Sequence, residues 1–512
     1  MLSNLVAGFA AILNFQTILL MLAGMAGGLL VGALPGLTAT MAVAIMVSLT
    51  FGLTGTTALA MLLSIYLGAV SGGFVSAILI NTPGTPASIA TTFDGYPMAR
   101  KGLAGKALGL AFMASLVGSI IGIVALVLLA PFISRAALRF SAPEYFAIAV
   151  FGLAMIIGIS GKDLAKGAFS GVVGLLIATV GLDPVTGVAR FDLGNVNLLG
   201  GFSFVPVVIG LFAISEALYQ ATQAGRASQV KQSVRSIFPK MSTLWLHKWL
   251  ILKSGVIGTF IGALPGTGAD IASLVSYTEA KRSSRHPELF GKGAEEGVIA
   301  SETANNAVPG AAMIPLLTLA IPGDAVTAVL LGALRMHNLQ PGPLLFRDHI
   351  HQVYALYAAL LLGVVMLRVV GAVVLPWFAR IMNLPRPHLV AAILLFSFVG
   401  SYAINNSVFD MGAAVAFGIL GFIMLRFDYP VGPMVLALIL GPIAEDRMRT
   451  ALVMSQGSWA IFVTRPISAV FLALSVAALV FMYRQHRNIA KLERDMQRAA
   501  EDLDSSPEAG VE

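Results

Sequence analysis

The chain of 512 residues contains no cysteine, which excludes disulfide bonds, thiolate nucleophiles and cysteine-ligated metal or iron–sulfur centres. Charged residues are also scarce, at 11% against roughly 25% in soluble globular proteins. The 7 histidines show neither H-x-x-x-H nor H-E-x-x-H spacing, so no metal site is predicted beyond a coupling sodium ion. Because no Ser/His or metal constellation for an intramembrane enzyme is found, we expect no enzymatic activity.

Long apolar runs fill the chain. Hydrophobic residues make up 57% of it, and the mean hydropathy is +0.87. Runs such as Ile120–Ala130 are continuous and lack the alternation of a transmembrane β-barrel. The sequence therefore predicts an all-α polytopic protein of the lipid bilayer, with roughly 10–14 membrane segments. Several apolar runs are shorter than a full crossing, so broken or re-entrant segments are expected.

The net charge of +7 does not indicate nucleic-acid binding, because the basic residues lie in short loops between apolar runs. The region 226–253 holds Arg226, Lys231, Arg235, Lys240, Lys248 and Lys253 with no acidic residue between them. We place this linker in the cytoplasm, together with the polar tail 484–512, which starts with basic residues. The expected organisation is a first membrane repeat (1–225), the basic linker (226–253), a second membrane repeat (254–483) and the cytoplasmic tail (484–512).

The stretch Gly255–Ala280 is mainly apolar on both sides of a Leu264-Pro265-Gly266 break, and basic residues flank both of its ends. Its 26 residues are too few for two crossings, which need about 40. With both ends on the cytoplasmic side, the stretch is predicted to be a re-entrant hairpin. A tip inside the membrane exposes backbone groups, which is tolerated only against protein or a polar cavity.

The chain also repeats itself. Gly32-Ala-Leu-Pro-Gly36 recurs as Gly262-Ala-Leu-Pro-Gly266, 230 residues later. Asn81-Thr-Pro-Gly-Thr85 has a counterpart in Ala320-Ile-Pro-Gly-Asp324, and Asp183-Pro184 weakly matches Tyr429-Pro430. Three matches in the same order favour two homologous halves, which we expect to be inverted repeats. Paired Pro/Gly interruptions in two halves are typical of the substrate site of a secondary transporter.

The two Leu-Pro-Gly breaks are the first candidate site. Proline starts a helix well, so new helices are predicted from Pro35-Gly36 through Leu37 and from Pro265-Gly266 through Thr267. A helix N-terminus carries partial positive charge and free N–H groups, which suit a carboxylate. Thr38, Thr40 and Thr267 add hydroxyls there. The alternative is a plain proline kink, which membrane helices tolerate.

Two further polar stretches are candidates. Asn81, Thr82 and Thr85 belong to a loop with two prolines, which fits a polar re-entrant tip or an interfacial loop. In the second stretch, Glu302, Asn305 and Asn306 share one helical face, where a carboxylate and amides can hold a hard cation or a substrate carboxylate. A helix cap at the cytoplasmic end is the alternative there. Asp324 either takes part in cation coupling or simply N-caps a helix.

The sequence resembles the tripartite tricarboxylate transporter family, in its large membrane (permease) subunit. The resemblance covers nearly the whole chain before its tail and is carried by four colinear blocks: Tyr66–Gly109, Gly262–Ser284, Phe290–Gly323 and Leu330–Phe346. Two positions depart from the family pattern, Phe74, where relatives often have a small polar residue, and Ala320, where glycine is usual. If Phe74 is near the site, it alters substrate preference.

The resemblance implies a secondary transporter of the bacterial inner membrane, driven by a sodium or proton gradient and without any other cofactor. It also implies two partners, a small integral-membrane subunit and a periplasmic solute-binding protein that delivers carboxylates such as citrate. A stand-alone ion-coupled carrier of organic anions is the alternative. The predicted substrate-binding residues are Gly36, Thr38, Asn81, Thr82, Thr85, Gly266, Thr267 and Asn305. The predicted coupling-cation residues are Glu302, Asn306 and Asp324.

Overall fold

A computed structural model of the chain describes residues 2–159, 164–183, 185–222, 245–266, 268–374 and 386–480. Thr267, most of the basic linker and the polar tail therefore lie outside the described residues. The described residues are mainly helical, and their strands are one small antiparallel pair, β1 (Gly181–Leu182) and β2 (Ala189–Arg190).

The first half of the chain begins with helices that are broken twice by Pro/Gly loops and ends with one apolar helical run, Phe204–Thr222. Its helices are α1 (Leu2–Ile12), α2 (Phe15–Ala33), α3 (Ala39–Leu49), α4 (Gly55–Gly72), α5 (Phe74–Ile80), α6 (Ile89–Met98), α7 (Ala104–Ala137), α8 (Ala142–Ile159), α9 (Leu164–Ala178), α10 (Phe204–Val208) and α11 (Ser215–Thr222). Wider turns at Ala99–Leu103 and Ile209–Ile214 join α6 to α7 and α10 to α11. A short 3-10 turn, Pro86–Ser88, precedes α6.

The second half follows a similar order. Its helices are α12 (Lys248–Gly262), α13 (Gly268–Ser283), α14 (Glu295–Leu319), α15 (Ala325–Met336), α16 (Pro343–Asp348), α17 (Ile350–Val374), α18 (Arg386–Asn405), α19 (Val408–Arg426), α20 (Val431–Met454), α21 (Ile461–Thr464) and α22 (Pro466–Val480). Further 3-10 turns lie at Val196–Leu198 and Pro287–Leu289.

Within the described residues, 7 helices are long and apolar enough to cross a membrane, and shorter apolar helices of 10–17 residues accompany them. The exposed side chains of these helices include many large apolar residues, such as Phe132 and Val373. Such an outer surface is stable in a lipid bilayer and unfavourable in water. The predicted all-α polytopic membrane fold is confirmed. The predicted re-entrant entry of the hairpins and the repeats stay predictions.

The two halves exchange packing partners. Helices α8 and α9 of the first half pack against α20 of the second, while α18 and α19 of the second half pack against α10 and α11 of the first. In the centre, α14 packs against α7, and α4 packs against α17. A duplicated chain with two halves that wrap around each other would have these reciprocal contacts. The centre of this arrangement is the large buried cluster of apolar side chains that α2, α4, α7, α14 and α17 share.

Candidate functional site

The first Leu-Pro-Gly break separates α2 from α3. Gly36 takes a positive φ of 88°, the left-handed conformation that favours glycine. For this reason the helix does not start at Pro35-Gly36, as the sequence predicted, but at Ala39. Thr38 is its N-cap, and the Thr38 Oγ1 accepts a hydrogen bond from the Met41 N–H at 3.1 Å. With the Met41 N–H capped, the first turn of α3 leaves the N–H groups of Ala39 and Thr40 without a partner inside the helix.

The second break separates α12 from α13, which form a helix–turn–helix hairpin over the predicted stretch. Gly266 and Gly268 both take positive φ, at 82° and 68°, so this helix also begins later than predicted, at Gly268. The Gly266 N–H donates to the Gly323 carbonyl at 2.8 Å. That hydrogen bond attaches the break to the Pro-Gly loop of the same half. Thr267 lies outside the described residues, so its predicted role stays a prediction.

The two Pro-Gly loops have the same relation to these breaks. Asn81 is the C-cap of α5 and Ala320 is the C-cap of α14, and both residues are left-handed, with φ of 56° and 59°. A Cβ on Gly84 would collide with the Gly32 carbonyl, and one on Gly323 would lie 2.8 Å from the Gly262 carbonyl. In each half, therefore, the loop glycine packs against the end of the helix that precedes the Leu-Pro-Gly break.

A cavity of about 420 Å³ lies where these elements meet. Its wall includes residues from both breaks, both Pro-Gly loops and the start of α20: Thr38, Ala39, Thr40, Thr85, Pro86, Ala87, Gly266, Gly268, Ala269, Asp270, Asp324, Ala325, Val326, Pro430, Gly432, Pro433 and Leu436. Tyr66 and Val70 of α4 complete it. The N-termini of α3, α13, α15 and α20 are all at this wall, so partial positive charges of four helices act on the same space.

Two carboxylates also line the cavity. Asp324 is the N-cap of α15, where its Oδ1 accepts from the Thr327 N–H at 2.7 Å, and its Oδ2 accepts a short hydrogen bond from the Tyr66 hydroxyl. Asp270 lies in the first turn of α13. Within the part of the chain that the structure describes, the residues that line the cavity include no lysine, arginine or histidine. The cavity therefore offers helix N-termini and hydroxyls to an anion, and two carboxylates to a cation.

The predicted substrate residues are only partly brought together here. Thr38, Thr85 and Gly266 line the cavity. Gly36 precedes the wall residue Thr38 by two positions but does not itself line the cavity. Its carbonyl accepts a hydrogen bond from Gln220 Nε2 at 2.7 Å. Asn81 and Thr82 are exposed at the loop and do not line the cavity wall. The left-handed conformation of Asn81 turns the chain after α5, and only Thr85 and its successors return to the wall.

Glu302, Asn305 and Asn306 form a separate polar network on α14, and all three are fully buried. Glu302 accepts a hydrogen bond from Thr91 Oγ1 at 2.5 Å, from Ser115 Oγ at 3.3 Å and from both amides at 3.2 and 3.4 Å. In the described part of the chain no basic side chain forms an ion pair with Glu302, and Asn305 Oδ1 is buried without a hydrogen-bond partner. The three side chains meet on one side of α14, and their predicted roles in binding stay predictions.

This network contacts α4, the helix that carries two residues of the cavity wall. Ser71 Oγ donates to Asn306 Oδ1 at 2.6 Å, and Ser71 follows Val70, which lines the cavity. The three predicted coupling residues therefore occupy two places, Asp324 in the wall and Glu302 with Asn306 behind it.

Some residues of the wall were not predicted. Tyr66 lies inside a mainly apolar run that also contains Ser64 and Ser71, so its hydroxyl group does not stand out in the sequence. Pro430 and Gly432 start α20, and the weak match of Tyr429-Pro430 to Asp183-Pro184 was a signal for a third break.

Comparisons with known proteins agree with these observations. The profile of the tripartite tricarboxylate transporter TctA family matches residues 18–436. An Agrobacterium vitis protein described as an uncharacterized 52.8 kDa protein in the TAR-I ttuC' 3' region is 37% identical over 488 residues, which are 94% of this chain and 96% of the relative. A second A. vitis protein, described as uncharacterized in the TAR-II ttuC' 3' region, is 35% identical over 223 residues, 44% of this chain and 92% of that relative. No solved structure matches the chain. The chain thus belongs to the tripartite tricarboxylate transporter TctA family.

Proposed function

We propose that this chain is the large permease subunit of an ion-gradient-driven transporter that imports organic carboxylates across the bacterial inner membrane. The observation that supports this most directly is the cavity, because residues of both Leu-Pro-Gly breaks and both Pro-Gly loops line it. Broken helices whose N-terminal ends point at one central site are typical binding sites for anionic groups in secondary transporters. The chain acts in transport and not as an enzyme.

The bound anion is held by neutral groups. The N–H groups at the starts of α3 and α13, with the hydroxyls of Thr38 and Thr40, contact the substrate carboxylates. Because the described residues of the cavity wall include no lysine, arginine or histidine, an anion binds there with helix dipoles and hydroxyls. Asp270 and Asp324 would repel an anion, so a cation enters the site with the substrate and offsets their charge.

Two buried acidic residues, Asp324 and Glu302, are the basis of the proposed ion coupling. Asp324 in the cavity wall, and Glu302 with Asn306 behind it, are the proposed sites at which a coupling sodium ion or proton acts. A buried charge within a membrane protein is costly, so such groups are functional candidates by default. The hydrogen bond from Ser71 to Asn306 connects the second group to α4, the helix that contributes Tyr66 and Val70 to the cavity wall.

Two partner proteins complete the transporter. In a tripartite system a periplasmic solute-binding protein captures the carboxylate and a small integral-membrane subunit accompanies the permease. The chain spans the inner membrane several times, with its linker and C-terminal tail in the cytoplasm. The two halves are inverted repeats whose hairpins α2–α3 and α12–α13 enter from opposite sides, and their movement against the remaining helices gives alternating access.

The test is uptake into proteoliposomes that contain the purified permease and its small subunit, with candidate labelled carboxylates and imposed sodium or pH gradients. Uptake must require a gradient and must increase when the binding protein is added. Gradient-driven uptake without any effect of a binding protein would instead favour a stand-alone carrier. Flux without dependence on a gradient would indicate a channel and contradict the proposal.

A pair of variants locates the site. Thr38→Val removes the N-cap hydroxyl of α3 at the cavity wall and should raise the KM for the carboxylate about tenfold, the effect of roughly 1.4 kcal/mol. The control is Thr54→Val, at the N-cap of α4, where the side chain makes no capping hydrogen bond and does not line the cavity. Equal KM values for both variants would place the substrate elsewhere.

A further inference from the structure

One face of α12 is apolar along its length and begins with two tryptophans. Trp245, just before the helix, is 68% exposed, and Trp249, in its first turn, is 72% exposed. The exposed large side chains that follow are Leu252, Val256 and Phe260. From Trp249 onward the spacings are three or four residues, so these side chains share one helical face. In a polytopic membrane protein such a face contacts lipid, and tryptophans at its end mark the level of the lipid headgroups.

Lys248 lies between the two indole rings. Its Nζ is 5.2 Å from the centroid of the Trp245 ring and 5.9 Å from that of the Trp249 ring. Both distances are within the roughly 6 Å over which an ammonium group is attracted to an aromatic face. The positive charge is therefore held at the level of the tryptophans, where a lysine side chain reaches the headgroup layer of a bilayer.

The base of the α12–α13 hairpin carries positive charge that the described part of the chain does not neutralise. Lys253 of α12 and Glu279 of α13 form an ion pair at 2.6 Å, so the start of α12 and the end of α13 lie at the same end of the hairpin. Lys248, Lys281 and Arg285 at this end form no ion pair with any residue that the structure describes. An anionic group from outside the chain would complement this charge.

The combination of these features favours an anionic phospholipid over other anions. A soluble acidic partner would complement the charge at the hairpin base, but it would leave the apolar face of α12 uncovered. A zwitterionic phospholipid would cover that face, but its own cationic group would lie near the Lys248 ammonium. An anionic phospholipid covers the apolar face with its acyl chains and brings a net negative headgroup to Lys248, and basic residues near a membrane surface are attracted to such lipids.

We propose that Lys248, together with Trp245 and Trp249, binds the headgroup of an anionic phospholipid and so anchors the base of the hairpin in one leaflet. The 15 residues of α12 rise about 22 Å from this anchor. The Leu-Pro-Gly break that follows would then lie inside the hydrocarbon core, which is about 30 Å thick. Because Gly266 and Gly268 of this break line the substrate cavity, the bound lipid fixes the depth of that part of the cavity wall.

Tryptophan fluorescence tests the site directly. The chain has 4 tryptophans, so Trp377→Phe and Trp459→Phe leave Trp245 and Trp249 as reporters. The full chain is reconstituted into vesicles of phosphatidylcholine and phosphatidylglycerol at a fixed ratio, with bromine on the acyl chains of only one of the two lipids. We expect quenching per brominated lipid to be about fivefold stronger with brominated phosphatidylglycerol, the preference that one lysine near an anionic surface gives.

Substitutions of the lysine test its part in this preference. Lys248→Gln should reduce the ratio of the two quenching values to about one, and Lys248→Arg should retain the preference, because a guanidinium group also binds phosphate. Lys253→Gln is the matched control on the same helix. The Lys253 ammonium is already engaged by Glu279 at 2.6 Å and by Ser283 at 3.1 Å, so its loss should leave the lipid preference unchanged.

Three results would overturn the proposal. The first is equal quenching by the two brominated lipids in the reporter chain, and the second is the same lipid preference in Lys248→Gln and Lys253→Gln. The third is an absence of quenching by either lipid, which would show that protein and not lipid covers this face. If the reporter chain with both Trp→Phe substitutions does not fold, the same comparison is made with all 4 tryptophans present. The change in lipid preference caused by Lys248→Gln then reports on the site.

Discussion

The hydroxyl of Tyr66 donates a hydrogen bond to the carboxylate of Asp324, although 258 positions separate the two residues in the chain. Tyr66 belongs to α4 of the first half, and Asp324 caps α15 of the second. The hydrogen bond joins the two halves at the wall of the cavity and takes up one oxygen of the carboxylate.

Tyr66→Phe removes that hydrogen bond and leaves the Asp324 carboxylate more negative toward the cavity. Hydrogen bonds to charged groups contribute roughly 1.5–3 kcal/mol, so the KM for a carboxylate substrate should rise about tenfold or more. The control is Tyr357→Phe, which deletes a buried hydroxyl that has no partner. Saturation kinetics of proteoliposome uptake would measure the difference, and identical KM values in the two variants would contradict a role of Tyr66 at the site.

Glu302→Gln keeps the size of the side chain and part of its hydrogen bonding but removes the charge. If the Glu302 carboxylate takes part in ion coupling, gradient-driven accumulation should fall about tenfold while substrate binding is retained, because the variant lies behind the cavity wall. Glu295→Gln is the control on the same helix, where Glu295 pairs with Lys106 at the surface. Accumulation at the level of the control would exclude Glu302 from coupling.

The contact between α7 and α14 depends on the absence of side chains. A Cβ on Gly122 would collide with the carbonyl of Ala307, and one on Gly118 with that of Thr303. Gly122→Ala should therefore destabilise the protein by about 1–3 kcal/mol, the usual effect of overpacking. Gly27→Ala in α2 is the control, since no atom lies within 4 Å of its Cβ. Thermal unfolding in detergent should show a lower Tm for the first variant only.

Asp183, in the loop between α9 and α10, has its pKa lowered from 3.8 to about 2 because the backbone amides of Thr186 and Val185 donate to it and Arg449 lies nearby. A pKa that is lowered by folding gives stability above the unfolded pKa, which is lost as pH falls through the folded pKa. Stability should therefore decrease between about pH 4 and pH 2. Asp183→Asn should flatten this part of the Tm–pH curve. A curve unchanged by Asp183→Asn would contradict the assignment.

The sequence predicted the membrane class and the positions of the helix breaks because both depend on local chemistry. Apolar runs have to be buried in lipid, and a proline next to a glycine interrupts a helix wherever it occurs. The start of each new helix was predicted too early, since the positive φ of Gly36 and Gly266 is a property of the folded turn. The preference of proline for the first turn of a helix placed the helix starts at Pro35 and Pro265. Nothing in the sequence indicated that Gly36 and Gly266 would be left-handed.

The site itself was predictable only in part. Thr38, Thr85 and Asp324 could be found because they adjoin duplicated motifs, and the structure places all three at the cavity. Asn81 adjoins the same motif, yet its side chain is exposed, because one left-handed residue changes the direction of the loop. Tyr66 could not be found, since its significance lies in a partner that only the folded chain brings near.

The exchange of packing partners between the halves has a consequence for biosynthesis. When α8 and α9 leave the ribosome, the helix against which they pack, α20, has not yet been made. Until α20 is inserted, the surfaces of α8 and α9 that pack against it have no protein partner in the membrane. Protection by the insertion machinery would be most needed at that stage. For the same reason, the two halves made as separate polypeptides should be degraded singly and should accumulate only when they are co-expressed, as an interlocked pair.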